Sequence, residues 1–315
     1  MNPLISVIMS CYNESDKELR ESIESILTQT YSNFEFIIVN DNPSNERLKN
    51  SLNSFKYDSR VIVIHNKTNL GAGKSKNEAL KIAKGYYTAI LDADDIALPN
   101  RLEKEIAYFE EHPDCDLVAS LREDIDENSN PIKYSVGVVV KDNFIPKVLK
   151  YGAIITHSTV LVKTSILKKL EGYRLFKSAQ DYDLWLRMVS LKCHFHIIAE
   201  PLVRYRVRQN GITNSNYANS YFEFNYIRKL YFERERNNGK DSFSEQYLEK
   251  IYSFPSLKKE PINQQYKQIL SLSKNKWQPF LLLKVLLGIL INKDCFKNLK
   301  NMVIAKILIN KSAMK

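Results

Sequence analysis

The chain has only four cysteines, Cys11, Cys115, Cys193 and Cys295, with no CxxC pair and no histidine at metal-ligand spacing from them. That scarcity excludes a zinc ribbon or a disulfide-stapled scaffold and points to a reduced, cytosolic protein. An uninterrupted apolar run of the about 20 residues that a membrane span needs is also missing. The longest candidate, Trp277–Ile291, is broken by Lys284 and Gly288. No charged segment precedes Leu4–Met9, which is of strand length, so a signal peptide is not expected. Internal repeats and low-complexity linkers are absent. The net charge of +10 invites a nucleic-acid reading, but no aromatics interleave with basic residues on a binding platform. Acids are scarce in the tail, where Asp294 alone follows Lys274, so the positive excess is largely C-terminal. A lysine-rich surface of no functional meaning is the bland alternative.

What is present is the composition of a globular chain: 315 residues, 44% hydrophobic and 26% charged, enough for one large α/β domain with an appendage. Strand and helix patterns alternate through the first two-thirds, as in a mainly parallel sheet flanked by helices. Ile5–Met9, Phe34–Val39, Arg60–Ile64, Tyr86–Leu91 and Asp116–Ser120 read as strands. Ser15-x-x-Glu18 forms a capping-box pattern before Leu19, Ile23, Ile26 and Leu27 at helical spacing. Helices are expected near Lys74–Lys84, from Pro99 to about Glu111, and over Asp181–Leu191. Ile132–Val140 reads as an edge strand or hairpin, and His194–Ala199 and Val203–Val207 as two strands. Asn210-Gly211 marks a boundary between a domain over 1–212 and a helical region over 213–315, beginning with a helix over Tyr217–Arg236.

Polar residues just past the carboxyl ends of parallel strands line the ligand crevice of open α/β sheets. Asp41 and the run Asp92-Ala93-Asp94-Asp95 fall there. Three carboxylates in four residues repel one another unless a cation neutralises them, and their oxygens suit Mg²⁺ or Mn²⁺. The alternative is a solvated acidic turn ahead of the next helix. Gly73-Lys74-Ser75 imitates the end of a P-loop, but Thr68 stands where a P-loop needs glycine. His194 and His196 lie two apart, on one strand face, with no third ligand nearby. They read as sheet-surface residues. His157, just before Ser158-Thr159-Val160, is a further candidate.

Five segments in order resemble the motifs of the family 2 glycosyltransferases, which share the GT-A fold. They are Ser6–Glu14, Ile37–Ser44, Asn69–Gly71 with Ser75-Lys76-Asn77, Leu91–Asp95, and Gln180–Arg187. Departures occur at Asn40, Asn42-Pro43, Lys76 and Arg208, where the family often has Asp, Gly-Ser, Arg and His. The resemblance implies a UDP-sugar site. Asp41 would accept from the uracil imide, Tyr12, Asn13 and Glu14 would border the base, and Asn69, Lys76, Asp92 and Asp94 would complete donor binding. Plain packing beside the sheet is the other reading of Tyr12. Asp94 and Asp95 would hold Mn²⁺ or Mg²⁺.

Asp181 would be the general base, with a helix N-cap as its structural alternative, and Asp183 would pair with Arg187. One base and no nucleophile implies inversion. The implied reaction moves a hexose, glucose or galactose favoured, to a glycan or undecaprenyl-diphosphate-linked saccharide of bacterial O-antigen or capsule synthesis. A peripheral position at the inner face of the cytoplasmic membrane is one expectation for the basic tail, and a helical subdomain packed against the sheet domain is the other. A non-catalytic nucleotide-binding module or a P-loop-like NTPase is the rival reading.

Overall fold

The computed structural model describes residues 2–208, 217–274 and 292–313. Its first four strands are β1 (Ile5–Cys11), β2 (Phe34–Asn40), β3 (Val61–His65) and β4 (Tyr87–Ile90). They lie in the order β3-β2-β1-β4, all parallel. Their near-continuous apolar composition follows from burial on both faces. On β1, Val7 and Met9 enter one core layer with Leu19, Ile23 and Ile26 of α1 (Asp16–Leu27). Ile8 points into the opposite layer with Ala79 and Leu80 of α3 (Ala72–Ile82). The capping box of α1 forms as its sequence predicts, with Ser15 and Glu18 satisfying each other's backbone N–H groups. The helix α2 (Glu46–Asn53), capped by Asn45, has no counterpart among the expected elements because only Leu48 and Leu52 reach the core.

Beyond β4 the sheet is mixed. The later strands are β5 (Ile96–Ala97), β6 (Leu117–Ile125), β7 (Pro131–Val136), β8 (Leu161–Lys163) and β9 (Phe195–Arg206). β8 runs antiparallel to β4 and β6, β9 runs parallel to β6, and β5 and β7 pair antiparallel at the margins. Hydrophobic alternation carries no strand direction, so the parallel block was legible and these reversals were not. The two strands expected near His194–Val207 are one strand, β9, whose register against β6 jumps between Ile198 and Pro201. Proline cannot donate to the ladder, which places an irregularity there.

Helices α4 (Arg101–Glu111), α5 (Ile145–Leu149), α6 (Thr164–Lys169) and α7 (Gln180–Ser190) cover the sheet. The C-terminal helices are α8 (Tyr217–Arg236), α9 (Glu245–Tyr252), α10 (Ser256–Lys274) and α11 (Lys293–Ala313). Ala218, Tyr221, Ile227 and Leu230 of α8 share one apolar core with Trp185 and Leu186 of α7. Among the described residues no helix is long and apolar enough to cross a membrane. Asn210-Gly211 and the stretch Trp277–Ile291 lie outside the described residues.

Candidate active site

The carboxyl end of β4 delivers the acidic run into a turn closed by Asp95 N–H donating to Asp92 C=O, 3.1 Å. The three carboxylates part company here. Asp92 Oδ1 lies 2.9 Å from Lys76 Nζ and 3.5 Å from His157 Nδ1. Burial opposes its charge, but Lys76 and His157 overcome that and hold Asp92 far below the usual carboxylate range. Lys76 is only 2% exposed. A buried ammonium needs a fixed counter-charge, so its partner is this acid rather than solvent.

Asp94 is partly buried, and its Oδ2 accepts from Arg208 Nε at 2.9 Å. Arg208 also reaches Glu18 Oε1 at 3.0 Å. Burial and the Asp92 charge raise the Asp94 carboxyl, against the pull of Arg208. Asp95 departs from expectation. It is 1% exposed, and its Oδ1 accepts the backbone N–H of Arg206 at 2.9 Å, tying the turn to β9. Burial, then Asp94 and Asp92, push its carboxyl well above the ordinary range. Its Oδ1 is taken by the Arg206 N–H and its Oδ2 is buried, so the carboxylate is not presented to a cation, and Asp95 is corrected from metal ligand to an interior tether.

Among the described residues no three His, Cys, Asp or Glu side chains gather into a metal cage. Mg²⁺ and Mn²⁺ sites on substrate diphosphates need only one or two protein carboxylates, the remaining ligands being phosphate oxygens and water. Asp94, partly exposed at the strand ends, fits that role. Asp95 does not.

Asp41 is buried at the end of β2 and organises the loop before α3. Its Oδ1 accepts from Asn66 Nδ2 at 2.8 Å and Leu70 N–H at 2.7 Å, and its Oδ2 from Gly71 N–H at 2.8 Å. Asn69 Oδ1 shares that Gly71 N–H at 2.9 Å. A carboxylate offers about four acceptor positions, so the loop takes most of what Asp41 has. Gly71 adopts φ +82° at the N-cap of α3, a conformation that suits glycine. Tyr12 and Asn13 stand exposed beyond β1. Tyr12 is 49% exposed. Its N–H donates to Glu14 Oε2 at 2.8 Å, and its carbonyl accepts from Asn42 Nδ2 at 2.9 Å. Burial raises the Glu14 carboxyl.

The imitation of a P-loop dissolves. Ser75 is buried, with its hydroxyl accepting from Asn66 Nδ2 at 2.9 Å, and Lys74 is exposed. A Cβ on Gly73 would meet Tyr173 Cβ at 3.3 Å, so this glycine serves helix packing.

Asp181 lies in the first turn of α7 and accepts Tyr182 N–H at 2.7 Å. Ala179, not Asp181, is the N-cap. Burial raises the Asp181 carboxyl, outweighing His157 and the Tyr182 N–H, which favour the charged form. Asp183 is fully buried and pairs with Arg187 at 2.8 Å, as the i,i+4 spacing predicts. Arg187 also donates to the carbonyls of Leu170 and Gly172 at 2.7 and 2.6 Å.

Between the two acids sits His157, with Nε2 2.9 Å from the Tyr173 hydroxyl and Nδ1 facing Asp92. Both ring nitrogens are engaged. Tyr173, Lys76 in its buried pairing and Arg208 on Asp94 complete the site; no sequence signal marks Tyr173. His194 and His196 lie elsewhere, beside Asp114 and Asp142, as sheet-surface residues.

Acids at the carboxyl ends of parallel strands, one of them held by a buried lysine, mark the ligand-binding edge of an α/β fold. The chain belongs to glycosyl transferase family 2, whose model matches residues 6–170. It is 46% identical over 206 residues to the uncharacterized glycosyltransferase MJ1057 of Methanocaldococcus jannaschii, covering 65% of this chain and 71% of that one. It is 31% identical over 196 residues to WfaP of Escherichia coli, a UDP-Glc:alpha-D-GlcNAc-diphosphoundecaprenol beta-1,3-glucosyltransferase, covering 59% and 70%. The fold is GT-A, shared with S. aureus TarS 1–349 in complex with UDP-GlcNAc at a TM-score of 0.61 and 19% identity, covering 82% of this chain and 75% of that one.

Proposed function

We propose that this protein transfers a hexose, glucose or galactose, from a UDP-sugar to a hydroxyl of a lipid-linked saccharide in bacterial surface-polysaccharide synthesis, inverting the anomeric centre. The observation that carries the reading is the division of labour among the acids. Asp92 is held charged by Lys76 and His157, while Asp181 has a raised proton affinity. The first arrangement suits fixed donor contacts and the second suits proton transfer. The relatedness to WfaP and the likeness to UDP-GlcNAc-bound TarS support a UDP donor.

In this reading the acceptor oxygen bonds to the anomeric carbon as the bond from that carbon to the β-phosphate oxygen breaks. Asp181 takes the hydroxyl proton, and UDP departs. A single displacement turns an α-linked donor into a β-linked product. Asp94 is the residue that would hold Mn²⁺ or Mg²⁺, which neutralises charge on the leaving diphosphate when bound. Lys76 fixes Asp92, and Tyr173 fixes His157 between the acids.

UDP release measured with UDP-glucose and UDP-galactose over a panel of undecaprenyl-diphosphate-linked saccharides tests the proposal. Product linkage follows by mass spectrometry and NMR. Release with a β-linked product, lost in excess chelator and restored by Mn²⁺ or Mg²⁺, is expected. Release in chelator removes the cation, and an α-linked product removes the single displacement. The exposed, lysine-rich face of α11 supports work at the inner face of the cytoplasmic membrane.

A further inference from the structure

The loop that leads into Asp181 is gripped from outside the sheet. Glu223, on α8, is completely buried. Its Oε2 accepts Ser178 N–H at 3.0 Å and the Ser178 hydroxyl at 2.8 Å. Its Oε1 accepts Lys177 N–H at 3.0 Å and the Tyr252 hydroxyl of α9 at 2.5 Å. Ser220, one turn earlier on α8, donates to the Ser178 hydroxyl at 3.0 Å. The next residue, Phe224, packs its ring against Tyr182 at 4.6 Å between centroids. Two consecutive residues of α8 therefore hold the chain on both sides of Asp181.

A buried carboxylate that receives four donors is strongly directional, because each oxygen has two lone pairs and both are used. Two of the four donors are the backbone N–H groups of consecutive residues, Lys177 and Ser178, so it fixes backbone rather than packing alone. We propose that Glu223 is a positioning residue for catalysis: the C-terminal helical region, through this one carboxylate, sets where the Asp181 carboxyl stands relative to the acceptor hydroxyl. The inference rests on Asp181 being the base and extends it by making the C-terminal helices a working part of the active site.

The test compares Glu223→Gln, Asp181→Asn and the double variant in the full chain, using the donor and acceptor that the wild type turns over fastest. Glu223→Gln keeps the shape but turns an NH₂ group toward one backbone N–H and its neighbouring hydroxyl. A misplacement of about 1 Å can cost roughly 100-fold in rate, so kcat is expected to fall about 10- to 100-fold. UDP affinity by calorimetry and the donor KM should hold. Because Glu223 acts through Asp181, the double variant should be no slower than Asp181→Asn. Tyr252→Phe, which removes one donor, should give a smaller fall in kcat and covers the case in which Glu223→Gln does not fold. Abolished transfer in Asp181→Asn with full kcat in Glu223→Gln, or a double variant slower than Asp181→Asn, overturns the positioning role alone. Retained transfer in Asp181→Asn overturns the base assignment itself.

Discussion

At the residue scale, the chemistry turns on acids that share a site yet differ in proton affinity. Asp92 has a lysine and a histidine beside it; Asp181 has burial, with only partial relief from His157 and one backbone N–H. A base works only when deprotonated. Because Asp181 is raised, kcat should fall as pH drops through a limb lying above the ordinary carboxylate range; Asp181→Asn is the companion test. That variant should lose transfer and retain UDP binding, since the base contacts acceptor rather than nucleotide. Asp183→Asn is the contrast: it strands buried Arg187, which should cost about 3–5 kcal/mol of stability by denaturant titration. Transfer by Asp181→Asn, with none by a folded Asp183→Asn, would exchange the two roles. The Asp183–Arg187 pair was legible because i,i+4 spacing is a local property. Which of Asp92, Asp94 and Asp95 turns inward was not, because that depends on Arg206, more than a hundred residues away in sequence.

At the scale of elements, the strands and helices that carry the site announce themselves by period, but the contacts that lock them do not. The capping box of α1 and the full span of α8 follow from local pattern. The seam between α3 and the loop before α7 does not. There Asn77 donates to Tyr173 C=O and accepts Tyr173 N–H, both at 2.8 Å, five strands further along the chain from its own helix. Gly172 lies beside this clamp at φ +68°. A Cβ there would come 2.1 Å from Asn77 Oδ1. Gly172→Ala must therefore accept a strained backbone and disturb the clamp. We expect a loss of roughly 1–3 kcal/mol in stability, read from the urea midpoint, together with weaker turnover because Tyr173 supports His157. An unchanged midpoint would mean the loop relaxes without loss and that Asn77 does not hold it.

At the scale of the whole molecule, the uneven charge noticed in the sequence acquires a place. One side of α11 is anchored to the body: Cys295, Asn298 and Ser312 are buried, and the Ser312 hydroxyl accepts Lys141 N–H at 2.8 Å. The outward side carries Phe296, Val303 and Ile307, exposed at 55%, 48% and 47%, spaced to form one stripe. Lys293, Lys297, Lys300, Lys306 and Lys311 are exposed around them. An apolar stripe between lysines matches a helix lying in a bilayer interface, with rings in the acyl boundary and ammonium groups at anionic headgroups. Each lysine near such a surface contributes about 1 kcal/mol, screened by salt. The full chain should therefore float with phosphatidylglycerol-containing vesicles at low salt, release as salt rises, and bind neutral phosphatidylcholine vesicles weakly. Phe296→Ser with Ile307→Ser should weaken flotation, as should Lys300→Glu with Lys306→Glu, while transfer to a soluble acceptor analogue is preserved because α11 lies apart from Asp92 and Asp181. Equal flotation with neutral and anionic vesicles, or none at low salt, would return this face to ordinary solvent exposure and leave the acceptor to be met away from the membrane.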